Sequence, residues 1–198
     1  MKTIQFSLLF LLMICLTGIA TAQTKTPSID TKNSTIEWTG KKVLGTHNGT
    51  VNIAEGNLII NGALLTGGAF TIDMNSITNI DLKDADYNQK LIGHLKSADF
   101  FSVDKYPTAN VLIKKVQKYT GYPDKFKVTA DVTIKGITNP VVFDAVLTKK
   151  GDKYIGTANI VLDRTKWDVK YGSSSFFDNL GDKAIKNEIE LTVKIQTI

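Results

Sequence analysis

The chain has 198 residues, with 24 basic and 19 acidic side chains, a formal charge of +5 and one cysteine, Cys15. That cysteine lies in an apolar N-terminal run, so the remainder holds no disulfide framework, thiolate metal site or cysteine nucleophile. Among the basic residues Arg164 is the sole arginine and the lysines are scattered. This excludes the arginine forks and clustered basic stripes of nucleic-acid binders, and leaves a solvated lysine surface with weak attraction to anionic membranes.

Lys2 is followed by an apolar run from Phe6 to Ile19 and by Ala20-Thr21-Ala22, a small-x-small pattern. Residues 1–22 therefore read as a secretory signal cleaved before Gln23; the short run and the cleavage site argue against a signal anchor. Ile14, where a small residue would be needed before an acylated Cys15, argues against a lipoprotein. Export to the periplasm, or full secretion, is expected. Residues 23–33 are polar, contain Pro27 and read as a mobile leader, which leaves 34–198 as one domain.

From Ser34 onward the dominant period is two. Phe126, Val128, Ala130, Val132 and Ile134 alternate with lysine, threonine and aspartate. One apolar and one wet face mark an antiparallel strand over a core. Tyr154, Gly156, Ala158, Ile160 and Leu162 repeat the pattern, as do Ile189, Leu191, Val193 and Ile195. Shorter candidates are Ile36–Trp38, Val43 with Val51–Ile53, Leu58–Ile60, Ala69–Met74, Asn110–Val116 and Val141–Leu147. Turns are expected at Asn61-Gly62, Gly67-Gly68, Gly121 to Asp124, Gly136 with Asn139-Pro140, and Gly151-Asp152. Tyr87, Leu91 and Leu95 break the period at i, i+4 and i+8, so a helix is predicted over 84–95 with Asp84 as its cap. The fold class is all-β: about eight antiparallel strands in a sandwich or barrel, with one short inserted helical segment.

Gly68, Ala69, Ala130, Ala145, Gly156 and Ala158 fall on or beside the inner face, where a dense sandwich would place large residues. Small inward residues either leave a dry apolar cavity or relieve crowding between coiled strands. Periodicity does not decide between them.

Catalytic patterns are weak. His47 and His94 are far apart in sequence and lack a visible nucleophile or metal partner. Ser173-Ser174-Ser175 lacks the G-x-S-x-G setting, and Asp81, Asp84 and Asp86 lack a calcium loop's glycine. Gly67-Gly68 is no phosphate cradle. Arg164, among Asp163 and Asp168, reads either as a structural ion pair or as a fork for a head group at a barrel mouth. Trp38 and Trp167 read as wall or core.

Several stretches resemble the YceI-like family of exported lipid- and polyisoprenoid-binding proteins. They are His47-Asn48-Gly49, the run Gly67 to Met74 with Ser76-Ile77, the run His94 to Pro107, the run Val132 to Val141, and Asp163 to Trp167. The run from His94 to Pro107 carries most of the specificity. The resemblance implies a lipocalin-like barrel enclosing an isoprenoid or quinone-like chain, with no catalysis, metal or cofactor beyond that lipid. It suggests a role in lipid transport or envelope stress.

On that footing Phe70, Ile72, Met74, Phe126, Val128, Ala130, Ala158 and Ile160 are expected to line the cavity. His94, Arg164 and Trp167 are the head-group candidates, and the helix is expected over one mouth. Partners would be the lipid and, transiently, a membrane surface; the oligomeric state, a dimer included, stays open. The alternatives are an enzyme acting on an isoprenoid lipid with a histidine base, and a filled barrel acting as an interaction module.

Overall fold

A computed structural model describes residues 23–198; the expected signal at 1–22 lies outside the described residues. Nine strands form one sheet: β1 (Thr24–Lys25), β2 (Thr35–Lys42), β3 (Gly45–Asn61), β4 (Leu64–Asp73), β5 (Thr108–Lys118), β6 (Lys125–Ile134), β7 (Ile137–Lys150), β8 (Lys153–Asp163) and β9 (Ile185–Gln196). From β2 to β9 each strand pairs antiparallel with the next, and β9 returns to β2. The result is a closed eight-stranded up-and-down barrel, whose ladder is interrupted only where the upper parts of β7 and β8 do not pair. Among the described residues the one α-helix, α1 (Ala85–Lys96), lies between β4 and β5. Asp84 caps it, its carboxylate accepting from Tyr87 N–H at 3.0 Å.

The expected strands Val51–Ile53 and Leu58–Ile60 are one strand. The break in their alternation is a bulge, where the β3–β4 register shifts between Ile53 and Glu55, and a bulge bends a strand without ending it. Val43 belongs to the β2–β3 turn. Gly67-Gly68 and Asn139-Pro140 lie inside strands and are not turns. At Gly68 an added Cβ would meet the Asn57 carbonyl oxygen at 2.7 Å, so glycine serves close backbone approach there. Pro140 falls where β7 has no ladder with β8, because that pairing runs only from Ala145↔Ala158 to Lys150↔Lys153.

The segment 23–33 is not a loose leader. Ile29 is buried, its N–H donates to Gly56 O (2.9 Å), and Asp30 N–H donates to Gln196 O (2.8 Å). With Leu58, Ile60, Phe126, Tyr154 and Ile195 it belongs to the core cluster, at the end of the barrel where β1 and the C-terminus lie. One apolar side chain among polar neighbours anchors the segment there.

The opposite end is covered by α1 and by a strap, residues 77–82. Above Asp73, where β4 stops, Thr78 N–H donates to Thr50 O and Ile80 N–H to Asn48 O, so the strap takes over the hydrogen-bonding edge of β3. Gly49 makes this possible: a Cβ there would sit 1.9 Å from Thr78 O and 2.8 Å from the Trp38 ring. Gly49→Ala must displace the strap. The expected cost is about 1–3 kcal/mol, or a melting-temperature fall of roughly 2–12 °C, read by circular dichroism. An unchanged melt would refute this role for Gly49.

Candidate functional site

Inside the barrel is a cavity of about 280 Å³ with an almost wholly apolar wall. The wall includes Trp38, Phe70, Ile72, Val111, Phe143 and Leu191, and the cavity reaches from Ile185 near the lid to Ile195 near the floor. Ten residues of strand at about 3.3 Å each, tilted by roughly 40°, place these ends about 25 Å apart. One leaflet of bilayer hydrocarbon is only about 15 Å deep. The volume lies just below the roughly 300 Å³ at which drug-sized pockets begin, so the space suits a slender chain better than a bulky ring system.

The wall is unevenly covered. On β2–β4, inward Ile36, Val51, Ile53, Leu65 and Ile72 are buried, while Trp38 and Phe70 are half-buried. On β7–β9, inward Val141, Tyr154, Leu162 and Ile195 are buried, while Phe143, Ala145, Ala158, Ile160, Leu191 and Val193 are only half-buried, although they point away from bulk solvent. Their inner surfaces border free space.

Six of the residues singled out from the sequence border this cavity: Phe70, Ile72, Met74, Val128, Ala158 and Ile160. Phe126 and Ala130 do not. Phe126 is packed in the core at the floor level and Ala130 is fully covered by its neighbours. The small residues divide likewise. Ala145 and Ala158 border the void; Gly156 relieves crowding, since a Cβ there would meet Ile195 at 2.8 Å.

The three head-group candidates separate. Arg164 borders the cavity near the lid and is only 2% exposed. Its partners are carbonyls rather than carboxylates: Nε donates to Lys186 O (3.0 Å), Nη1 to Val169 O (2.6 Å) and Nη2 to Ile185 O (3.1 Å). Asp163 turns instead to Thr165, accepting from its N–H and hydroxyl. Burial pulls the guanidinium below its ordinary pKa, with the Asp163 charge opposing, and arginine stays protonated regardless. Three of its five N–H groups are committed, leaving two for a ligand acceptor.

Trp167 is not at the cavity. Its indole packs on Val132, Val141 and Leu162 across the unpaired upper seam between β7 and β8, and its Nε1–H donates to Val132 O (3.0 Å). No donor is left for a head group. His94 is also away from the wall, 3.4 Å from Asp99 and edge-on to Phe100 and Tyr171. Leu91 and Leu95 of α1 face the cavity, as do Phe100 and Phe101 after it.

His47 does reach the mouth, and its Nδ1 lies 2.8 Å from Asp81 Oδ2. Asp81 also accepts from Asn48 N–H (2.8 Å) and from the Asn79 amide, while Asn88 of α1 donates to Asn79 and Leu82. This network latches strap and helix to β3. No nucleophile joins it among the hydrogen bonds of the described residues. No group of three or more His, Cys, Asp or Glu able to hold a metal occurs among the described residues.

Burial would raise the Asp81 carboxyl, but the hydrogen bonds from Asn48, His47 and Asn79 outweigh it and hold it below its ordinary value of 3.8. A depressed carboxyl contributes stability above its unfolded pKa and loses it as pH falls through the folded one. Below about pH 4 amide exchange in the strap is expected to accelerate before the barrel opens. Asp81→Asn should remove that acid dependence and cost about 1–3 kcal/mol at neutral pH. Equal acid sensitivity in the variant would contradict the latch.

A closed antiparallel barrel around an apolar, elongated void, roofed by one helix, defines a lipocalin-like binding fold. Residues 28–197 match the YceI-like domain, and the chain belongs to that family. It is 28% identical over 142 residues to a UPF0312 protein of Photorhabdus laumondii, covering 66% of this chain and 69% of that one. It is 36% identical over 75 residues to Protein YceI of Escherichia coli O157:H7, covering 38% and 36% of the two chains.

Among solved structures it is similar to Burkholderia cenocepacia BcnA (TM-score 0.68, 20% identity, covering 86% of this chain and 99% of that one). It is also similar to a polyisoprenoid binding domain from Saccharophagus degradans implicated in plant cell wall breakdown (TM-score 0.61, 12% identity, covering 88% and 98%). At these identities the likeness is one of fold.

Proposed function

We propose that this chain is an exported lipid-binding protein that holds an isoprenoid or isoprenoid-quinone-like chain in its barrel, without catalysing a reaction on it. The observation that carries this reading is the long apolar hollow, part of whose inward wall is not covered by packing. An apolar void of this size has no packing function, and a dry void accepts apolar guests. Ten buried methylenes at about 0.8 kcal/mol each supply about 8 kcal/mol, the free energy of a micromolar complex. The polyisoprenoid-binding neighbour of the same fold supports the chemical class. The N-terminal apolar run with Ala20-Thr21-Ala22 supports export, and with it a carrier role in the envelope.

In this reading Arg164 meets the polar end of the lipid with its two uncommitted N–H groups, beneath the roof formed by α1. Selectivity comes from chain width and length, since the wall offers few polar contacts. Trp38 at the wall is a reporter. In a Trp167→Phe background, adding an isoprenoid quinone to delipidated protein should quench Trp38 fluorescence saturably, at stoichiometry near one. Absence of saturable quenching would defeat the proposal.

A further inference from the structure

Two exposed apolar tips stand at the lid end of the barrel. Val43 and Leu44, in the β2–β3 turn, are 57% and 72% exposed; Phe176 and Phe177, in the connection from β8 to β9, are 50% and 51% exposed. Hydrogen bonds bring both to one rim. Val43 N–H donates to Ala184 O (3.2 Å), Ile185 N–H to Gly172 O (2.7 Å), and Phe177 N–H to Ser173 O (3.0 Å). Turn tips are ordinarily polar, and four large apolar side chains in water there give the fold nothing.

The same rim is the cavity mouth, bordered by Lys41, Lys42, Ile185 and Lys186. Lys170 holds its ammonium 5.1 Å from the Phe176 ring centroid. Apolar tips with long cationic side chains beside them match a bilayer boundary, where the tips enter the acyl edge and the ammonium groups stay at head-group level. Acidic groups dilute the charge: Glu190 pairs with Lys41, Asp168 lies 2.7 Å from the Lys170 ammonium, Glu188 shares the rim, and Asp178 and Asp182 lie in the connection that carries the phenylalanine tip. The tips therefore dominate and the lysines set a preference for anionic lipid. A protein partner fits less well, because separate tips around an opening offer no continuous patch of the roughly 800 Å² that a stable interface covers.

We propose that this rim docks on an anionic phospholipid bilayer and seats the cavity mouth against the acyl layer. A lipid chain then passes between membrane and barrel without crossing water. The purpose of docking rests on the lipid-binding reading, but docking itself is measured separately.

The test uses the chain from Gln23 onward, which contains the complete barrel, floor and lid. It is sedimented with mixed phosphatidylcholine–phosphatidylglycerol vesicles and with phosphatidylcholine vesicles. The wild type is expected to bind the mixed vesicles more strongly. A variant combining Val43→Ser, Leu44→Ser, Phe176→Ser and Phe177→Ser should lose at least tenfold in binding while keeping its melting temperature and its co-extracted lipid. No vesicle binding by the wild type, or unchanged binding by the variant, overturns the proposal. Self-association that depends on the tips, without vesicle binding, overturns it too. Protein that docks but never yields a bound lipid supports the docking face and removes the lipid-binding reading.

Discussion

Ala158→Trp is expected to leave the barrel folded and to weaken lipid uptake by about 100-fold or more. Ala158 lies opposite Ala145 on the β7–β8 ladder, and both border the void where the inward wall is only half-buried. An indole placed there enters free space and displaces ligand. Excluding four methylenes at about 0.8 kcal/mol each costs the complex about 3 kcal/mol, or roughly 200-fold. The protein's own stability should change by less than about 1 kcal/mol. The two readouts separate a hollow barrel from a filled one. A well-packed core would charge about 1–3 kcal/mol for the extra volume, and a filled barrel has no lipid affinity to lose. Titration with an isoprenoid alcohol, alongside a thermal melt, measures both; a large stability loss with unchanged uptake would contradict the hollow wall.

Arg164→Met is expected to lower the melting temperature by roughly 6–20 °C. The substitution leaves the carbonyls of Val169, Ile185 and Lys186 without the guanidinium that now gathers them. An unpaired buried carbonyl costs about 1–3 kcal/mol. The three losses are not additive, because the connection relaxes together, and a total of about 3–5 kcal/mol matches the removal of one partner from a buried charged network. In a domain of this size each kcal/mol moves the midpoint by about 2–4 °C. Arg164→Lys should recover little, since an ammonium cannot span three carbonyls set for a planar fork. If Arg164 served the ligand alone, the apo protein would melt normally, and differential scanning calorimetry of delipidated protein decides.

Strands with one wet face were legible in the sequence: β6 and β8 alternate so cleanly that face and extent both follow, and β9 does so for its face, though it begins at Ile185, ahead of the expected Ile189. α1 was legible through its change of period and the Asp84 cap. What failed depends on height along the barrel axis and on distant partners. Period two says that Phe126 and Ala130 point inward, but not that Phe126 lies at the floor, in the same core cluster as Ile29, whose polar surroundings hid its role. The seam that places Trp167 against Val132 spans 35 positions of sequence. The His47–Asp81 pair spans 34 and has no local pattern. Phe143, Leu191 and Val193 were within reach, since the inward parity of β7 and β9 puts them on the wall. Gly67-Gly68 looked like turn chemistry because a close backbone approach and a turn call for the same residue.

The central claim is that the interior is an open oily tube that carries a chain-like lipid. Native mass spectrometry of protein purified gently from its own host, without detergent, tests it most directly. The account predicts a discrete noncovalent mass increment that disappears on activation and is recovered in organic solvent as a hydrocarbon-rich molecule. The bare polypeptide mass in repeated preparations, with no increment after incubation with isoprenoid lipid, would contradict it.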